Sequence, residues 1–324
     1  MIFHFRNALT ATLFLLIFIS CNPAPEERGA DLQSFDREQL LEDISWLSAD
    51  RLEGRRTGTA GNRMAQDYIE ARFDALGLGQ SGDSFRHSFD HTNRQNENQV
   101  TEAVNLIGII EGSENPGRYI AVTAHYDHLG VQNGEIYNGA DDNASGTGGL
   151  LAAARYFSLN KPENSMIFIA FDAEEQGLAG ARHFVSDPAV PLDQIELVLN
   201  MDMISNNFEN ELYAVGTSHY PFLKPMIESV TTDSEINVLF GYDTPDAPQD
   251  WTTASDHGPF HQAGIPFIYF GVVDHPHYHQ PSDTYENTNP EFYVNTVETI
   301  ISVLVAMDSR LNEVIDAQNE QPVN

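Results

Sequence analysis

Met166-Ile167-Phe168-Ile169-Ala170-Phe171-Asp172-Ala173-Glu174-Glu175 is the stretch that decides the fold. Six apolar residues, β-branched and aromatic among them, read as a strand covered on both faces. The run stops in carboxylates, and open α/β sheets gather their chemistry beyond the carboxyl ends of their strands. Working outward, Val104–Ile110 and Tyr119–Ala124 before it, and Ile195–Asn200, Asn237–Phe240 and Pro266–Phe270 after it, read as further strands. Between them lie helical patterns. Ala65, Tyr68, Ile69, Phe73 and Leu76 share one face of a helix that stops at Gly77. Gly149–Phe157, Leu178–Val185, Pro221–Val230 and the long apolar-periodic Phe292–Met307 supply the rest. Strands alternating with helices predict an α/β fold: a single domain with a mainly parallel mixed sheet flanked by helices. No internal linker or repeat interrupts it, so the domain is expected over residues 32–312. The polar segment 81–101 reads as a long loop, and residues 313–324 as a frayed polar tail.

The chain has 324 residues, of which 41% are hydrophobic, enough for a large core and against disorder. Sixteen Lys and Arg stand against forty-eight Asp and Glu, a formal charge of −32. That balance argues against nucleic acid as a partner, because phosphate binding needs a basic face. It equally disfavours a polybasic grip on anionic lipid. The one cysteine, Cys21, rules out a disulfide or a four-cysteine zinc site within one chain. Residues 1–20 carry Arg6 and then an apolar run from Ala8 to Ile19, the shape of a secretory signal. Phe18-Ile19-Ser20-Cys21 resembles a bacterial lipobox. The expectation is cleavage before Cys21, lipid on Cys21, a tether over residues 21–31, and an exported protein anchored in the cell envelope, facing the periplasm or the exterior.

The residues just beyond each strand carry the chemistry. His125-Tyr126-Asp127-His128 comes after Tyr119–Ala124. Asp172-Ala173-Glu174-Glu175 comes after Met166–Phe171. Met201-Asp202-Met203 comes after Ile195–Asn200, and His275-Pro276-His277-Tyr278-His279 lies beyond Pro266–Phe270. Gly139-Ala140-Asp141-Asp142-Asn143-Ala144-Ser145-Gly146 opens the helix between the first two. Five segments thus bring imidazoles and carboxylates to one rim, a donor set suited to zinc. There are more donors than one tetrahedral zinc needs; two His and three carboxylates can hold two metals with one carboxylate bridging. Glu174-Glu175 suits a division of labour, one ligand and one base. His125-x-Asp127 has the spacing for a carboxylate to orient an imidazole.

This set resembles metallopeptidase family 28, the two-zinc aminopeptidases. The motifs are His125-x-Asp127, Gly139 to Gly146, Asp172-Ala173-Glu174-Glu175-x-Gly177, Asn200-Met201-Asp202 and His279-x-x-x-Asp283-Thr284, in a match running from about Leu47 to Asn289. The segment from Glu53 to Gly61 resembles the family's N-terminal part. The resemblance implies a zinc-exopeptidase fold and two co-catalytic zinc ions. One would be held by His125 and Asp202, the other by Glu175 and His279, with Asp142 bridging. It implies Glu174 as general base and then acid, Asp127 as the group orienting His125, and Tyr278 as an oxyanion donor. It also implies a cis peptide at Asp142–Asn143. The implied activity is removal of N-terminal residues from peptides with a free amino terminus.

Plainer readings attach to the neighbours. His128 reads as a core or surface histidine, His275 and His277 as solvated, and Asp141 as structural. His257 either lines the cleft or sits at a helix cap. Arg51, Arg55 and Arg56 read as surface salt-bridge residues, and Trp251 and Phe260 as core. The rival functions are a carboxypeptidase or dipeptidase of the same fold, which needs an arginine-rich pocket; a glutaminyl cyclase, which uses one zinc; and a non-catalytic binding lipoprotein, which would not need a complete ligand set.

Overall fold

The computed structural model describes residues 30, 32–92 and 100–320. The expected signal, Cys21 and all of the tether except Ala30 lie outside these residues. In chain order the strands are β1 (Gly79–Gln80), β2 (Arg86–Thr92), β3 (Val100–Ile110), β4 (Asn115–His125), β5 (Gly130–Gln132), β6 (Glu135–Tyr137), β7 (Asn164–Phe171), β8 (Ile195–Met201), β9 (Glu211–Val215), β10 (Asn237–Phe240) and β11 (Phe267–Gly271). The helices are α1 (Arg37–Leu47), α2 (Ala60–Ala75), α3 (Gly146–Leu159), α4 (Ala179–Ser186), α5 (Leu223–Thr231), α6 (His257–Gln262), α7 (Pro290–Ser309) and α8 (Leu311–Glu320).

Every residue of β7 is buried, as its unbroken apolar run requires. One sheet holds nine strands in the order β1-β3-β7-β4-β8-β11-β9-β10, with β2 also paired to β3. The four central strands β7, β4, β8 and β11 run parallel, so their carboxyl ends share one rim. Antiparallel pairings join β3 to β7 and β9 to β11. Helices cover both faces. On one, α3 packs against β4, α1 and α7. On the other, Phe171 of β7 meets Phe184 of α4 and Phe260 of α6 in a cluster of three fully buried rings. Each such ring contributes about 1.5–3 kcal/mol through its burial.

Side-chain caps start the helices where the sequence changes character. Asp36 accepts from the Gln39 N–H at the start of α1, Thr59 from Asn62 at α2, and Asn289 from Phe292 at α7, where Pro290 takes the first helical position.

Two expectations need correction. The segment 81–101 is not one long loop: residues 86–92 form β2, paired antiparallel to residues 100–106 of β3. Phe89 is the only buried apolar side chain of β2, so no period shows in the sequence; backbone pairing at a sheet edge holds the strand instead. The expected frayed tail is helix α8 as far as Glu320, with Leu311 and Val314 buried. Two apolar residues one turn apart suffice when a core edge is available to receive them.

Asp43 of α1 is fully buried. It accepts hydrogen bonds from the Tyr68 hydroxyl at 2.6 Å, Gln39 at 3.1 Å and Arg72 at 3.1 Å. Burial pushes its carboxyl up to about 6, against the pull of Arg72 and its hydrogen-bond donors. The ordinary value is 3.8, so between these values the folded state holds a proton that the unfolded chain has released. The group's stabilising contribution is therefore complete below pH 4 and lost as pH rises through 6. Asp43→Asn cannot ionise and is expected to remove up to about 3 kcal/mol of that slope. Urea unfolding of both proteins between pH 4 and 7 checks it; parallel stability profiles would clear Asp43 as the source.

Candidate active site

The four parallel strands deliver the site one strand end at a time. His125 is the last residue of β4, and Asp127 and His128 come just after it. Glu174 and Glu175 come after β7, Asp202 directly after β8, and Tyr278 and His279 after β11. Asp142 comes from the helical turn Ala140–Ser145 that leads into α3. All five predicted metal ligands meet at this rim.

Donor atoms at the rim cluster in two groups that share Asp142: His125, Asp142 and Asp202, and His128, Asp142 and Glu175, the second holding His128 rather than the predicted His279. The His125 Nε2 lies 3.3 Å from Asp202 Oδ1 and 3.4 Å from Asp142 Oδ1. The His279 Nε2 lies 3.0 Å from Asp142 Oδ2 and 3.5 Å from Glu175 Oε2. The two oxygens of Asp142 thus face opposite groups. Burial opposes ionisation of Asp142, yet His128, His125 and His279 bring its carboxyl well below the ordinary range. His128 Nδ1 stands 2.7 Å from Glu175 Oε1, but neither atom has an aligned hydrogen-bond partner although both are buried. His128 and Glu175, buried and converging without an aligned hydrogen bond, suit a cation between them, and imidazole with carboxylate is a donor set for zinc.

A backbone cradle holds Asp142. Asp283 accepts the N–H groups of Asp141 at 2.9 Å and Asp142 at 3.1 Å. Asp141 accepts from Ser205 (N–H 2.6 Å, hydroxyl 2.8 Å) and faces His275 Nε2 at 2.9 Å. Gly139 has φ of +58°, and a side chain there would meet the Asp142 carbonyl oxygen at 2.1 Å, so only glycine fits. The peptide bond Asp142–Asn143 is cis, as the family resemblance implied.

Glu174 belongs to neither donor group but opens into the same cleft of about 550 Å³. Its backbone N–H donates to Asp127 Oδ1 at 3.0 Å. Burial raises its carboxyl well above the ordinary range, and Asp256, Asp202 and Glu175 add to that while His125 opposes it. Tyr278, Tyr269, Trp251, Asp250 and Asp274 line the cleft, and no Lys or Arg does among the described residues. Tyr278 stacks on His279 with ring centroids 4.0 Å apart. Burial and the surrounding carboxylates hold its phenol above the ordinary value, so it stands ready as a hydrogen-bond donor.

Several residues depart from the sequence reading. His128 is buried, as a core histidine would be, but it faces Glu175 inside the site. Asp127 meets His125 Nδ1 through its carbonyl oxygen at 3.1 Å, whereas its carboxylate is 3.7 Å away and is engaged by Glu174 and Thr57. Arg55 is not a surface residue. It is fully buried and donates to the carbonyls of Leu47, Tyr126, Asn138 and Gly139 at 2.6–2.9 Å. Trp251 and Phe260 are both buried in the core as expected, and Trp251, stacked on Tyr242, also lines the cleft. His257 stays out of the cleft: its ring stacks on Phe267 and Tyr269 and its Nε2 meets the Trp251 carbonyl. His277 pairs with Ser282.

The sequence assigned no role to two further buried carboxylates near the site. Asp283 was legible only as part of its motif. Asp256 is buried with both oxygens lacking a hydrogen-bond partner, and burial pushes its carboxyl up to about 8. Its sequence context, Ser255-Asp256-His257, reads equally well as a helix cap, so nothing local flagged it.

Residues 105–304 match the sequence profile of peptidase family M28. The chain belongs to that family. Among curated M28 relatives, Aminopeptidase YwaD of Bacillus subtilis (strain 168) is 35% identical over 184 residues, 53% of this chain and 37% of the relative. The chain spans about half or less of the length of the first curated relatives it matches. Among solved structures, a zinc aminopeptidase from Bacillus subtilis superposes with a TM-score of 0.69 at 19% identity, covering 83% of this chain and 95% of the other. A glutaminyl cyclase from Porphyromonas gingivalis gives 0.68 at 19% identity, covering 84% and 98%. The fold is therefore the M28 zinc-exopeptidase fold, one mixed sheet flanked by helices, as the sequence predicts.

Proposed function

We propose that this protein is a two-zinc exopeptidase that removes N-terminal residues from peptides. The observation that carries the reading is the pair of donor groups sharing Asp142 at the floor of a cleft lined by carboxylates and by no Lys or Arg among the described residues. A free α-ammonium finds Asp250 and Asp274 there, whereas a substrate carboxylate finds no Lys or Arg among the described residues, which counts against a carboxypeptidase.

His125, Asp202 and one oxygen of Asp142 would hold one ion. Glu175, His279 and the other oxygen of Asp142 would hold the second, with His128 at hand. Bound zinc supplies Lewis acidity, polarising the scissile carbonyl and lowering the pKa of water. The protein does the rest. The Glu174 carboxylate accepts a proton from the attacking water and delivers it to the leaving amine. Asp127 fixes the backbone of Glu174 and the tilt of His125. Tyr278 donates to the carbonyl oxygen as charge develops there.

A mixed peptide pool with free, acetylated and glutamine-headed termini, read by mass spectrometry, tests this. Stepwise loss from free termini only, abolished by chelator, is expected. Trimming from the carboxyl end or ammonia loss from glutamine heads would replace the reading with a carboxypeptidase or a cyclase.

The apolar run Ala8–Ile19 ending at Cys21 supports an exported, lipid-anchored form in the cell envelope. Cys21→Ala is expected to move the protein from the membrane fraction to the soluble fraction; unchanged fractionation would remove the lipid anchor.

A further inference from the structure

Away from the cleft, where α4 packs beside β2, three side chains turn toward one point. His87 comes from β2, and His183 and Asp187 from the end of α4. Their donor atoms all lie within 4.8 Å of one another. The Nε2 atoms of His87 and His183 are 3.7 Å and 4.0 Å from the same oxygen, Asp187 Oδ2. Both distances exceed a hydrogen bond, and His183 Nε2 is shielded from solvent without a hydrogen-bond partner. The rings are held in place: His183 stacks on Phe89 at 4.6 Å and 14°, and its centroid is 4.9 Å from that of His87.

We propose that His87, His183 and Asp187 form a further binding site for a divalent transition metal of the zinc class, distinct from the Asp142 centre. Two neutral imidazoles and one carboxylate are a borderline donor set, which favours zinc over magnesium or calcium. Bonds of about 2.0–2.2 Å place tetrahedral donors roughly 3.3 Å apart. Against that spacing the two imidazole–carboxylate pairs, at 3.7 Å and 4.0 Å, must draw in by under an ångström, and Asp187 is free to do it because its side chain is 75% exposed. The fourth position opens to water. Burial and the neighbouring His87 both disfavour a charged His183, which leaves its lone pair available to a metal. An ion here ties the end of α4 to the edge strand β2. Since α4 begins four residues after Glu175, it also braces the segment that carries Glu174 and Glu175.

The inference goes beyond the peptidase reading and does not depend on it. The full chain, stripped with chelator, is titrated with Zn²⁺ alone, and bound ions are counted by elemental mass spectrometry. His183→Gln and His87→Gln are each expected to hold one ion fewer than wild type. In the Asp142→Asn background, where the paired centre is disabled, one ion should still bind and vanish on adding His183→Gln. Asp187→Asn, at an exposed position that does not threaten folding, should weaken that ion about tenfold. Zinc should raise the thermal midpoint of Asp142→Asn but not of the double variant. Equal ion counts in wild type and the His183 and His87 variants would overturn the site. So would loss of the same ion in His219→Gln, a surface histidine on the far side of the sheet edge from β2.

Discussion

Glu174→Gln is expected to lower kcat by about 10³–10⁴-fold while the protein keeps its full metal complement, the upper range for loss of a positioned general base. Glu174 lies in neither donor group, so an uncharged isostere removes proton transfer and leaves every ligand in place. Its N–H remains bonded to Asp127, which preserves the loop. KM should change little, because the ground-state contacts of the peptide do not need the base to ionise. Asp142→Ala makes the contrast: it removes the one carboxylate common to both groups, and both ions should be lost with activity. Steady-state kinetics with metal analysis on the two variants decides the matter. A Glu174→Gln enzyme within tenfold of wild type would mean that another group moves the proton.

The second large effect concerns a residue that touches no metal. Arg55→Met is expected to destabilise the fold by about 4 kcal/mol or more, since each buried carbonyl left without a donor costs about 1–3 kcal/mol. Four carbonyls depend on this one guanidinium: Leu47, Tyr126, Asn138 and Gly139. Burial pulls the Arg55 pKa down to about 10, and the nearby carboxylates of Asp283, Asp142, Asp127 and Glu175 resist that, so it stays charged at neutral pH. Tyr126 stands between His125 and Asp127, and Gly139 opens the turn that presents Asp142. Arg55 therefore clamps two walls of the site together. Arg55→Lys should not rescue stability, because an ammonium cannot span four acceptors arranged around a planar fork. Urea unfolding midpoints measure this, and a loss under 1 kcal/mol in Arg55→Met would show that the carbonyls find other donors.

The local signals explain how far the sequence could be read. Met166–Phe171, Tyr119–Ala124 and Ile195–Asn200 are strands because short apolar runs bounded by polar turns have few other ways to be buried. Once they are parallel, the residues after each run must share a rim, so His125, Glu174, Glu175, Asp202 and His279 were legible as a set. β2 was not, because an edge strand is held by backbone pairing that leaves little apolar pattern. Nor was α8, whose two buried residues resemble a polar tail.

By itself, then, the sequence determined the fold class, the family and which strand ends carry the donors, since these depend on local pattern and order along the chain. Tertiary structure alone decided that His128 faces Glu175, that Asp127 meets His125 through its carbonyl, that Arg55 is buried and that Asp256 sits unpartnered near Glu174. Each of those is a matter of which side of a turn a side chain leaves and what lies across the sheet from it. That is set by contacts between residues as much as 84 positions apart, as Arg55 and Gly139 are, and no local period encodes them.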